Sequence, residues 1–156
     1  MKTMKKLVVL LLVLPILAGC TKSNALRVKD LSYTGCATST DTRAGEDEEI
    51  VSLLTLKYED GNLRVTRTNT LVSCPFQDYG LVCNVSIEGN TIRYGVDAKT
   101  APNGLGVDCL CLIEEISSLV TGLEDGKEYT FHAANSPRIE DFTFVFEKGL
   151  FRIQGK

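Results

Sequence analysis

The stretch Val107–Ala133, VDCLCLIEEISSLVTGLEDGKEYTFHA, decides how this chain folds. It opens with a Cys-x-Cys pair at the head of an apolar run and closes that run at Gly122-Leu123-x-x-Gly126-x-x-Tyr129. A second run follows, in which Tyr129, Phe131 and Ala133 alternate with polar residues. Side chains two apart on a strand share a face, so this second run reads as a half-buried strand. The first run is less regular. Leu112, Ile116 and Val120 take even positions, yet Glu114 would join their face. A β-bulge at Glu114-Glu115, leaving one residue unpaired, would repair the pattern. Thr121-Gly122 and the β-branched residues before them argue against a helix, so this run too is expected to be a strand.

The corner between these strands is similar to the tyrosine corner of immunoglobulin-like and fibronectin-type sandwiches. There a tyrosine just past the connection between sheets bonds its hydroxyl back to the chain upstream. A plain hairpin with a buried Tyr129 fits the same residues.

Working outward, the rest of the chain has the same character. Leu54, Leu56 and Tyr58 alternate with Thr55 and Lys57, and Asp60-Gly61 supplies a hairpin turn, since glycine accepts positive φ without a Cβ clash. Leu63, Val65 and Arg67 then share one face of the returning strand, which Thr68 to Val72 extend to Cys74-Pro75. A second hairpin joins Leu81–Glu88 to Thr91–Val96 through Gly89-Asn90. Phe142, Phe144 and Phe146 form another strand, and Leu150, Phe151 and Ile153 end the chain. Leu26, Val28 and Leu31 to Tyr33 suggest a weak first strand. The expectation is an all-β, single immunoglobulin-like or Greek-key sandwich of 7–9 antiparallel strands over residues 26–156.

The N-terminus has a different composition. Lys2, Lys5 and Lys6 precede an apolar run, Leu7 to Leu17, that ends in Ala18-Gly19-Cys20. About eleven residues cannot cross a bilayer as a helix, which takes roughly 20. The pattern is that of a secretory signal over residues 1–19. Leu17-Ala18-Gly19-Cys20 resembles the lipobox of bacterial lipoproteins, and that resemblance implies acylation of Cys20, cleavage before it and a lipidated tether over residues 20–25. Two or more acyl chains anchor stably where one binds only marginally. Thr21, rather than an aspartate, beside the lipid-bearing cysteine favours the outer membrane by the same resemblance. The face of the envelope is open.

Export shapes the reading of charge and cysteines. Three of the 17 basic residues and none of the 20 acidic ones lie before Cys20, so the exported part is net acidic. Such a surface repels phosphate backbones, which excludes nucleic acid as an expected partner. The acidic run Glu46 to Glu49 lacks the alternating acids and central glycine of an EF-hand and reads as a solvated loop. Five cysteines remain after Cys20: Cys36, Cys74, Cys83, Cys109 and Cys111. All are disulfide candidates in an oxidising compartment. Cys109 and Cys111 project together but cannot comfortably bond each other, so each needs a partner elsewhere. The favoured scheme makes two bridges among Cys74, Cys83, Cys109 and Cys111 and leaves Cys36 free or intermolecular. An equally good one ties Cys36 to Cys109 or Cys111 and pins the tether to the sandwich. A zinc site is disfavoured, because a distant pair plus Cys-x-Cys is not the spacing of zinc hairpins. No metal or other cofactor is expected.

Catalysis finds little support. His132 is the sole histidine. With Cys36 it could sketch a thiol hydrolase, but nothing in sequence orients the pair. A redox role for Cys109-x-Cys111 would need nearby positive charge, whereas Asp108, Glu114 and Glu115 are acidic. No residue is assigned as catalytic.

Gly35-Cys36, the strand end Asn69 to Cys74, Gly89-Asn90-Thr91-Ile92, Cys109-x-Cys111 and the Leu123-x-x-Gly126-x-x-Tyr129 corner, in that order behind a lipobox, resemble small cysteine-containing envelope lipoproteins of Bacteroidetes-type bacteria. That group has no established function. The chain departs from the group's two adjacent cysteines, having Cys74 alone, with Cys83 on the next strand. The resulting expectation is a non-catalytic envelope lipoprotein whose sandwich is a binding or assembly module for a protein or glycan. The alternative is a thiol-dependent enzyme or redox protein using Cys36 or Cys109/Cys111.

Overall fold

The computed structural model describes residues 25–37, 51–74, 79–100, 110–136 and 138–155. The signal and lipobox, the acidic run at 46–49, Cys20 and Cys109 lie outside the described residues. Among those described, the alternating runs become nine strands: β1 (Arg27–Tyr33), β2 (Leu53–Glu59), β3 (Asn62–Ser73), β4 (Leu81–Glu88), β5 (Thr91–Ala98), β6 (Leu110–Thr121), β7 (Lys127–Ala133), β8 (Phe142–Phe146) and β9 (Phe151–Gly155). They form two sheets, β1-β6-β3-β2-β9 and β4-β5-β7-β8, which make a β-sandwich. The Asp60-Gly61 turn is as expected, with φ of 50° and 77°, because both central residues of such a hairpin turn need positive φ.

The two inner faces differ in chemistry. The five-stranded sheet presents aliphatic side chains, Leu54, Leu56, Leu63, Val65, Ile113, Ile116 and Val120, all buried. The four-stranded sheet presents aromatic ones, Tyr94, Tyr129, Phe131, Phe144 and Phe146. Ring centroids of Tyr94–Phe131 and Phe131–Phe142 are each 5.7 Å apart. Such pairs add about 0.5–1.5 kcal/mol beyond the area they bury, so β5, β7 and β8 are held by ring contacts as well as by their hydrogen bonds.

Antiparallel pairing was expected throughout, and one pair departs from it. β5 and β7 run parallel, Thr91 opposite Thr130 and Tyr94 opposite Ala133. Parallel neighbours need a long crossover, and β6, lying in the other sheet between them in sequence, supplies it.

The break in β6 falls where alternation fails, but its form differs from a bulge on one strand. Cys111 and Ile113 are buried, Glu114 and Glu115 are exposed, and Ile116, Ser118 and Val120 are buried again. The register against β3 passes through unshifted, Thr68 opposite Glu115 and Thr70 opposite Ile113. β3 changes phase at the same level, from buried Leu63, Val65 and Arg67 to buried Thr70 and Val72. The cause lies in β3. Asn69 takes φ 50°, a left-handed conformation that asparagine tolerates, and its amide donates to Val51 O at 2.9 Å. One left-handed residue thus turns over the faces of both strands together.

Candidate functional site

The Tyr129 corner forms as the sequence suggested. The backbone N–H of Glu124 donates to Tyr129 Oη at 2.9 Å, while Gly126 N–H donates to Phe146 O at 2.7 Å. Tyr129 is buried and its ring lies beside Phe144. The polar end of the side chain is thereby satisfied by the chain that carries it.

The cysteines arrange themselves differently from the favoured scheme. Cys36 is bonded to Cys111, across a Cα–Cα distance of 5.7 Å. It sits just past β1 in an isolated bridge with Ile113, so the chain end that follows β1 is stapled to β6. A bridge closing a loop this long contributes roughly 2–4 kcal/mol. Cys74 is also disulfide-bonded. Cys83, a staple in the favoured scheme, is instead a free thiol, and Cys36, free or intermolecular in that scheme, makes the bridge to Cys111 that the equally good alternative allowed. The physical reason is topological. Cys83 lies on β4 in the four-stranded sheet, whereas Cys36, Cys74 and Cys111 all belong to the β1-β6-β3 side of the other sheet.

The structure does not bring Cys36 and His132 together. His132 lies between buried Phe131 and Ala133 and so points out of the four-stranded sheet, where its Nδ1 is 2.7 Å from Asp141 Oδ1. Among the described residues no three His, Cys, Asp or Glu side chains cluster as metal ligands, and no helix is long and apolar enough to cross a membrane.

A polar cluster that sequence reasoning missed lies between the sheets. Arg67 extends from the inner face of β3, where its backbone partners are Leu54 and Ile116, and is only 3% exposed. Its Nη2 donates to Ser136 Oγ, and its Nε has no partner. Tyr94 Oη and Ser118 Oγ, both buried, share a hydrogen bond of 2.8 Å, and the Cys83 thiol lies 4.0 Å from the same serine oxygen. Asp97, at the end of β5, accepts from Asn135 Nδ2 at 2.7 Å. Arg67, Cys83, Tyr94 and Ser118 contribute through the inward periods of β3, β4, β5 and β6, while Asp97, in the opposite phase from Tyr94, joins at the end of β5 beside the 134–136 turn. The signal that could have found it was alternation itself, which puts Arg67 on the apolar face of Leu63 and Val65.

The electrostatics follow from burial. Desolvation lowers the Arg67 pKa, with Tyr94, Cys83 and Asp97 acting in the opposite direction. Burial raises the Cys83 thiol above its ordinary value, outweighing its hydrogen bonds with Tyr94 and Ser118 and the charge of Arg67. Tyr94 is pushed far up, first by burial and then by Cys83. A neutral thiol is a poor nucleophile, so Cys83 is positioned for packing and hydrogen bonding more than for attack. The cluster can present positive charge and N–H donors to an acceptor-rich group. Comparison with protein-family models, with curated proteins and with solved structures finds no match for the chain.

Proposed function

We propose that this chain is a non-catalytic lipoprotein of the bacterial cell envelope, anchored in the outer membrane through Cys20, whose β-sandwich binds or assembles with another protein or a glycan. It belongs, on this reading, with the small cysteine-containing lipoproteins of Bacteroidetes-type bacteria. The observation that carries the binding role is the outer face of the five-stranded sheet at its β9 edge. Phe151 and Ile153 are 64% and 54% exposed there, with Leu53 exposed on the neighbouring strand β2. Antiparallel partners point to the same side, so the three side chains lie on one face of an edge whose β9 backbone has no further strand beside it among the described residues. Exposed apolar patches of this kind mark interaction surfaces.

The cysteines support the same reading. Cys36 and Cys111 are committed to a staple and Cys83 is held neutral, so none of the three offers a ready thiolate. The test is affinity capture from envelope extracts with the wild-type chain and with Phe151→Glu/Ile153→Glu. A partner retained by the first and lost by the second is the expected result. Repeated failure to capture anything, together with turnover of an envelope substrate, would sink the proposal. Mass spectrometry of the mature protein, with Cys20→Ser as control, is expected to find acyl chains at Cys20 and release of the variant into the soluble fraction.

A further inference from the structure

Arg67 poses a problem of charge. A guanidinium taken out of water costs several kcal/mol unless an opposite charge or a full set of hydrogen bonds compensates it. No ion pair among the described residues includes Arg67, and its Nε–H is unpartnered. One carboxylate, Asp97, acts on it through space and favours its charge, but makes no ion pair with it and accepts its hydrogen bond from Asn135 instead. Asn135 itself takes φ 60°, and the turn that carries it is held by Ala134 N–H donating to Tyr94 O at 2.8 Å and by Ile139 N–H donating to Ser136 O at 3.0 Å. Asp97 is therefore fastened to this turn through Asn135. A second polar atom on the same inner face of β3, Thr70 Oγ1, is also buried without a partner. The rest of the cluster, Tyr94, Ser118, Ser136 and the neutral Cys83, carries no negative charge to balance the arginine.

We infer that the Arg67 cluster is a binding site for a small anion, a carboxylate or an inorganic oxyanion, that accepts the free Nε–H of Arg67 beside Ser136. A water could satisfy the hydrogen bond but not the charge. A carboxylate or phosphate oxygen does both, since charge-assisted hydrogen bonds to guanidinium are about twice as strong as neutral ones. Low local dielectric strengthens the attraction further. The size limit follows from burial, because Arg67, Tyr94 and Ser118 are all enclosed between the sheets. Cys83, Asp97 and Ser136 are only partly buried, so the cluster lies near the surface beside the 134–136 turn, with Arg67 Nε itself closed off behind it. This site is separate from the lipid anchor and from the apolar face at β9, and stands whether or not those act in binding.

The test uses the full chain, labelled with nitrogen-15, and sodium acetate, sodium phosphate and acetamide as probes. The Arg67 Nε–H resonance, identified by its loss in Arg67→Lys, is expected to shift saturably with acetate or phosphate and to stay still with acetamide, which has the shape of acetate without its charge. Acetate alone moving it assigns a carboxylate, and phosphate alone an inorganic oxyanion. Thermal midpoints should rise with the logarithm of the effective anion's concentration, as for any ligand of the native state. That rise should vanish in Arg67→Met, and Arg67→Lys should weaken binding about tenfold because lysine lacks the guanidinium fork. An Nε–H that no anion moves, or that acetamide moves equally, overturns the inference. So does an anion-dependent rise of equal size in Arg67→Met. If that variant does not fold, the resonance of the wild-type chain decides alone.

Discussion

The four-stranded sheet buries two tyrosines in the sandwich, and they are used in opposite ways. Tyr129 accepts the backbone N–H of Glu124, five residues upstream, so its hydroxyl is satisfied within one turn. Tyr94 spends its hydroxyl on Ser118 of the opposite sheet, in a cluster that still contains an unpartnered arginine nitrogen. The first is a closed local arrangement that stabilises the corner. The second is assembled from residues far apart in sequence and leaves a buried guanidinium without an ion-pair partner among the described residues, which stability alone does not favour. Native interiors keep few such groups, so the difference separates a structural site from a candidate functional one.

Substitutions distinguish the two tyrosine sites. Tyr129→Ala removes ring and hydroxyl together and is expected to cost about 3–5 kcal/mol, in the range of other aromatic truncations. Tyr129→Phe isolates the hydroxyl and should cost about 1–3 kcal/mol, because it strands the Glu124 N–H. Both are read from urea unfolding midpoints at unchanged slope. Arg67→Met should act in the other direction. In low-salt buffer it is expected to be neutral or to stabilise by up to about 4 kcal/mol, since it removes an uncompensated buried charge. A loss comparable to that of Tyr129→Ala would place Arg67 among the structural residues instead. Tyr94→Phe should cost about 0.5–1.5 kcal/mol, less than Tyr129→Phe, because Ser118 keeps the Cys83 thiol as a neighbour.

The pH dependence above neutrality bears on the cluster. Cys83 and Tyr94 both have folded pKa values above their unfolded ones. As pH rises the unfolded chain therefore loses these protons first, near about 8.5 for the thiol and 10 for the phenol. Stability attached to the pair is complete below about pH 8.5 and declines above it, since the native state then binds more protons than the unfolded one. Tyr94→Phe should flatten the upper part of that decline, followed by chemical unfolding at each pH. Native Cys83 should also alkylate more slowly at pH 8 than the same thiol in urea. Equal rates would remove the burial on which the comparison rests.

The fold was legible where the pattern is local. The strand runs, the Asp60-Gly61 turn and the Tyr129 corner each depend on a few adjacent residues whose backbone preference and period agree. The phase change was half legible. Glu114-Glu115 marked its place on β6, but its cause, left-handed Asn69, lies on the partner strand, where nothing in sequence distinguishes it from any exposed asparagine. Disulfide pairing was only narrowed, to two schemes of which one held the Cys36–Cys111 bridge, because it depends on which strands become neighbours. The β3–β6 register sets Val72 opposite Cys111 and Ser73 opposite Leu110. With Cys36 and Cys111 bridged to each other, Cys83 free and Cys74 bonded, proteolysis of the unreduced protein is expected to release a Cys74–Cys109 peptide.

That the chain is all-β, and where nearly every strand lies, follows from a period of two and from turn chemistry carried by neighbouring residues; the same period set Arg67 on one face with Leu63 and Val65 without marking that face as holding a polar site. Only the tertiary structure decided that β7 returns parallel to β5, that Cys83 is left unbridged, and that Arg67 bonds to Ser136 near Tyr94 and Cys83 with no ion pair among the described residues. Those outcomes depend on how two sheets stack, and stacking brings together residues that no local rule relates.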